Sequence, residues 1–127
     1  MSMHHLNVIK KETFSLETLS IGGRLMVRFT GSGHADAAPL LERCLKGVDE
    51  EAARLACSEI VVDFQQLYFM NSSCLKAFVS WIYRLHAAAK PARVRFMSNA
   101  RLRWQESSLG ALGRLAPEIV TIEAIES

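Results

Sequence analysis

The chain has 127 residues, 50% hydrophobic and 22% charged. This composition predicts one compact domain spanning residues 1–127 and excludes a disordered chain or a two-domain enzyme, because chains of this size bury roughly two-thirds of their unfolded surface. Fifteen basic against thirteen acidic residues leave a formal charge of +2, too balanced for nucleic acid or an anionic membrane to be the main partner. Cys44, Cys57 and Cys74 show neither CxxC nor Cys/His ligand spacing, which argues against a disulfide framework or a structural zinc site and favours a reducing, cytoplasmic setting. No apolar run nears the roughly 18 residues that span a bilayer, and the first residues lack the layout of a secretory signal, so no membrane insertion is expected. His4 and His5 are read as a solvated terminal pair and not as metal ligands.

Phe14-Ser-Leu-Glu-Thr-Leu19 alternates apolar and polar side chains, as does Leu25-Met-Val-Arg-Phe29, and Ser20-Ile-Gly-Gly23 supplies the turn of an antiparallel hairpin between them. From Asp36, a candidate N-cap, Ala37, Leu40, Leu41, Cys44, Leu45 and Val48 fall on one helical face. Gly47 and Asp49-Glu-Glu51 weaken that pattern, so the helix is expected to end there and a short second one to cover Ala52 to Cys57. Glu59-Ile-Val-Val-Asp-Phe64 is the short β-branched run of an interior strand covered by helices. After a connector, Leu75, Phe78, Val79, Ile82, Leu85, His86 and Ala89 mark a long amphipathic helix that Pro91 stops, with Trp81 and Tyr83 off its apolar stripe as candidate interface residues. Arg93 to Met97 alternates as a strand, Asn99 to Leu115 is helical, and Ile119 to Ile125 closes with a strand.

The predicted order is therefore β-β-α-β-α-β-α-β: an α/β domain with a mixed, mostly parallel sheet of four to five strands and an antiparallel first strand at its edge. With the second, third and fourth of those strands parallel, the segments Gly31 to Asp36, Gln65 to Ser72 and Ser98 to Arg101 all emerge at one end. Ligands and partners of open α/β sheets meet that end.

The richest stretch runs from Val61-Val-Asp63 through Leu67, Tyr68, Phe69 and Met70 to Asn71-Ser-Ser-Cys-Leu-Lys76. Asn71 or Ser72 is placed to cap the helix. One cap needs one residue, so three small polar groups in succession also present a hydroxyl to solvent. These residues resemble the STAS domain, the fold family of sulfate transporters and anti-sigma factor antagonists, and the resemblance covers nearly the whole chain. Arg24 to Gly31 is similar to the family's second strand with its following glycine, and Gln105-Glu-Ser-Ser-Leu109 to its late helix. The antagonists' motif is Asp-Ser-Ser-Gly-Leu with the first serine phosphorylated, and that serine matches Ser72. Ser73 and Leu75 match as well, whereas Asn71 replaces the aspartate and Cys74 the glycine, adding a side chain beside the site. A related group of bacterial switch proteins with a STAS-like fold carries Asn before a phosphorylated Thr.

The resemblance implies a single STAS-like domain that is not itself an enzyme and needs no cofactor. Its unmodified form would bind an anti-sigma factor or serine kinase, phosphorylation of Ser72 would release that partner, and a separate phosphatase would reset it. Asn71, Ser72, Ser73, Cys74 and Lys76, with Ser32 and His34 on the neighbouring loop, are the candidate partner-binding residues. The alternative is a phosphorylation-independent adaptor or structural subunit of a multiprotein complex, such as a membrane transport complex.

Other patterns carry less. Ser73-Cys-Leu-Lys76 fits the S-x-x-K spacing of serine acyltransferases and β-lactamases, but neither S-D-N nor K-T-G is present. Gly31-Ser-Gly-His-Ala-Asp36 reads G-x-G-x-x-D, and an aspartate at the third glycine's place opposes a pyrophosphate. Arg84, Lys90, Arg93, Arg95, Arg101 and Arg103 form a basic segment, with Arg93 and Arg95 predicted to share one sheet face as a solvated stripe. Asp63, with no second carboxylate to help it hold a metal, is expected to bond a loop. Cys74 stands in the first turn of a helix, where the dipole can lower a thiol pKa, against the commoner role of a buried small residue.

Overall fold

A computed structural model describes residues 3–11, 13–88 and 92–126, with side chains from Ile9 onward except that of Lys11. Six strands, β1 (Met3–Lys11), β2 (Phe14–Ile21), β3 (Arg24–Gly33), β4 (Glu59–Met70), β5 (Arg93–Asn99) and β6 (Val120–Ile125), form one sheet in sequence order. Pairs β1/β2 and β2/β3 are antiparallel, and the three pairs from β3 to β6 are parallel. Helices α1 (Ala38–Arg54), α2 (Ser72–Ala87) and α3 (Arg103–Leu115) make the three crossovers. Right-handed crossovers that all step the same way put their helices on one face of the sheet, and α1 packs on α2 and α2 on α3.

The core lies between those two layers. Alternate residues Leu25, Val27 and Phe29 of β3, Ile60, Val62 and Phe64 of β4, and Val94 and Phe96 of β5 point at the helices and are fully buried. They meet Phe78, Trp81 and Ile82 of α2 and Leu109 and Leu112 of α3 in the same cluster. Phe29, Phe64, Phe78 and Phe96 interlock, with tilted or edge-on rings 5.3 to 6.3 Å apart. Edge-on contacts place the positive rim of one ring on the negative face of the next.

The interior strand is covered by helices on one face and not on both. On the other face, charged side chains ladder across strands: Glu17 to Arg28 at 3.4 Å, Arg28 to Asp63 at 3.3 Å, and Glu59 to Arg95 at 3.0 Å with Glu123 beyond at 3.6 Å. Arg95 thus belongs to a paired ladder, while Arg93 stays exposed. Arg84 is likewise held, 3.4 Å from Asp49.

Several expected boundaries move. β1 is an additional strand, so β2 is not at the edge; the side chains of His4 and His5 lie outside the described ones. Asp36 does not cap α1: it sits in a single 3₁₀ turn, Ala35–Ala37, and the helix starts at Ala38 with Pro39 in its first turn. α1 then runs unbroken to Arg54, with no second helix at Ala52 to Cys57. Its acidic run is held by partners: Asp49 accepts from Trp81 Nε1 at 2.6 Å and Glu51 pairs with Arg54 at 2.6 Å. Trp81 is therefore fully buried, contrary to its expected place off the stripe, and only Tyr83 of that pair is exposed. α2 ends at Ala87; Ala89 to Pro91 lie outside the described residues. α3 begins at Arg103, not Asn99.

Candidate functional site

Three chain segments meet at the carboxyl end of the parallel strands, as their order requires. β5 pairs with β4 only as far as Asp63↔Met97, yet β4 continues to Met70 along β3, with Ser32 opposite Phe69 and Gly33 opposite Met70. The segment expected as a connector is thus a strand that overhangs the sheet. Two register shifts, after Arg28 and after Gly31, let β4 advance two residues further than β3 over this stretch.

Side-chain amides hold the overhang where β5 no longer can. Gln105, fully buried at the start of α3, donates from Nε2 to the carbonyls of Phe64 at 2.7 Å and Leu67 at 2.9 Å, while its Oε1 accepts from Asn99 N at 2.8 Å. Asn99 Nδ2 reaches Gln65 O at 3.0 Å. Asp63, only 6% exposed, accepts from Gln65 N at 2.9 Å, from Gln65 Nε2 at 3.1 Å and from Arg28. Asp63 thus bonds within the sheet, to Gln65 of its own strand and Arg28 of β3, and not to a loop as its position suggested. Among the described residues no three His, Cys, Asp or Glu side chains gather as a metal ion would need.

The chain turns at Asn71. Its N donates to Gly33 O at 2.7 Å, and its Oδ1 accepts from Ser73 N at 2.8 Å. Its own carbonyl accepts from Cys74 N and Leu75 N. That is a complete N-cap, and among the described residues it leaves the Ser72 hydroxyl unused at the exposed first position of α2. Ser73 is half-buried and Lys76 is exposed. Cys74 does not reach the surface as a partner contact or beside Ser72: it is fully buried, its thiol donates to His34 O at 3.4 Å, and burial, helped by the nearby Asp36 carboxylate, pushes its pKa up.

His34 and Ser32 do lie at this end. The exposed His34 ring stacks obliquely on Phe69, centroids 5.5 Å apart. Ser32 is half-buried, and its N and O bond Thr13. Phe69 and Tyr68, 44% and 58% exposed, form an aromatic lip at the overhanging end of β4. Phe69 lies against His34 and Tyr68 on the side of Gln65, Asn99 and Ile125, as the alternation of a strand requires. The lip was visible in the sequence as an apolar cluster; its exposure was not, because exposure depends on β5 stopping short. Two broad grooves lie elsewhere, one between α1 and the first hairpin, the other near the carboxyl ends of α1 and α2, and neither borders Ser72.

These features define a two-layer α/β domain whose most elaborated surface is an exposed serine at a capped helix start, preceded by two exposed aromatic residues at the end of β4. No protein-family model matches the sequence and no curated protein is similar to it. Among solved structures, the fold is similar to that of the activator SiaC in the crystal structure of diguanylate cyclase SiaD in complex with its activator SiaC from Pseudomonas aeruginosa. The TM-score is 0.63, at 16% identity, over 94% of this chain and 99% of that one. At that identity the likeness is one of fold.

Proposed function

We propose that this chain is a cytoplasmic, STAS-like protein-binding regulator, not itself an enzyme, whose partner packs over the carboxyl end of the sheet and is released by phosphorylation of Ser72. The observation that carries the reading is the Ser72 hydroxyl, exposed and left free among the described residues by the Asn71 cap, three residues beyond the exposed Phe69. Such a serine can accept a phosphate without loss of any bond that holds the fold. A phosphate brings roughly −1.5 to −2 charges, and a partner seated on an apolar lip would have to desolvate them. Binding is then lost while the domain stays folded.

The partner implied by the sequence resemblance is an anti-sigma factor or serine kinase, with a separate phosphatase. The likeness to SiaC, an activator bound to the enzyme it activates, supports a protein partner and adds a second class, an enzyme that the unmodified module switches on. Asn71 supports the reading as the residue that frees Ser72, and His34, Ser32, Ser73 and Lys76 remain its candidate partner contacts. Intact mass of the protein from its native cells should show a phosphate adduct that Ser72→Ala abolishes. Capture experiments should recover the same partner with wild type and Ser72→Ala but not with Ser72→Asp. A phosphate-free native protein whose partner binding ignores Ser72→Asp would make it a constitutive adaptor instead.

A further inference from the structure

We infer that Lys76 is the internal counter-charge of the modified site: once Ser72 carries a phosphate, the Lys76 ammonium folds back one helical turn onto it, so that modification hides a cation as well as adding an anion. The inference rests on the reading of Ser72 as the modified residue. Ser72 and Lys76 are both exposed on α2, and neither side chain makes a hydrogen bond or ion pair among the described residues. Their i,i+4 spacing puts them on one face, with Cβ atoms roughly 5–6 Å apart. The anion would stand on the amino-terminal side of the cation, the more favourable order because it also suits the helix dipole.

Other charges near the first turn do not offer the same closure. Asp36, in the 3₁₀ turn before α1, opposes an anion there, and its charge already reaches Cys74. His34 is engaged with the Phe69 ring. Arg28, Arg84 and Arg95 are committed to carboxylates on the open sheet face or on α1. Lys76 is thus the unengaged cation on the element that carries the phosphate. In the unmodified state the same ammonium is available to a carboxylate of the partner, so the partner surface facing it should be acidic.

The test needs no kinase. Phosphoserine is installed genetically at position 72 of the full chain and its second ionisation is followed by phosphorus NMR. Lys76→Gln should raise that pKa by about 0.3 units, Lys76→Arg should leave it unchanged, and Lys46→Gln, which removes the same charge from an exposed position of α1, should not move it. Equal values for wild type and Lys76→Gln, or an equal rise with Lys46→Gln, would overturn the inference. Because the phosphate is placed by design, failure here is separate from failure of the wider reading, which the intact mass of the native protein decides.

Discussion

At the scale of single residues, the site depends on two that shape its backbone, Asn71 and Gly31. Asn71 Oδ1 is the acceptor that closes the first turn of α2. Asn71→Ala should lower unfolding stability by about 1 kcal/mol in urea titration, whereas Asn71→Asp, which keeps the oxygen, should not. Gly31 has φ +93, and a Cβ there would fall 1.7 Å from Thr13 O. Gly31→Ala therefore clashes with backbone that cannot swing aside, and it should cost well over 1 kcal/mol on the same measurement. The family-like glycine after the second predicted strand was legible in the sequence for its identity. The reason for it, the approach of the Thr13 turn, was not, because contact between residues so far apart in the chain leaves no local pattern.

Among elements, α1 and β4 show what periodicity can and cannot carry. The stripe from Leu41 to Val48 was readable, but the acidic residues after Gly47 looked like a helix end. They continue the helix because Trp81 and Arg84 of α2 take up Asp49, a tertiary effect that overrides the local signal. Burial is the largest influence on Asp49 and raises its pKa above the ordinary carboxylate value, outweighing its bonds to Trp81 and Arg84. A raised folded pKa contributes stability below the unfolded value that is lost as pH rises through the folded one. Asp49→Asn, which keeps an acceptor for Trp81, should accordingly be tolerated best relative to wild type at pH 7, and the difference should move toward wild type as pH falls through the raised Asp49 pKa toward the ordinary carboxylate value of 3.8, levelling off below it. Urea midpoints across that range would show it.

For β4, the apolar cluster from Leu67 to Met70 was legible and its strand geometry was not, since a strand that outruns its neighbour is stabilised by side-chain amides from other elements. Gln105 serves two carbonyls and one N–H. Gln105→Leu leaves all three buried without partners, for a loss of about 3 kcal/mol. Hydrogen exchange should quicken around Tyr68 and Phe69 before it does in β2.

Over the whole molecule, the fold class and the order of crossovers followed from alternating strand and helix patterns, whereas the first strand, Met3–Lys11, escaped because its residues hold no sustained apolar–polar alternation. The formal charge of +2 falls to about zero on one phosphorylation. The phosphorylated form should focus at a lower isoelectric point with a nearly unchanged melting temperature, a pairing that separates release of a partner from unfolding.

The strand order itself reaches into how the molecule is made. Each strand lies beside the one before it in sequence, so no strand must be held open for a later arrival to slip between. During synthesis the amino-terminal hairpin can serve as a template on which each strand and helix adds in turn as it emerges. The aromatic lip, carried on the fourth strand, would then take its final shape only when α3 has been made and Gln105 reaches back across the sheet. A partner recognising that lip would recognise, in effect, a chain already made and folded as far as α3.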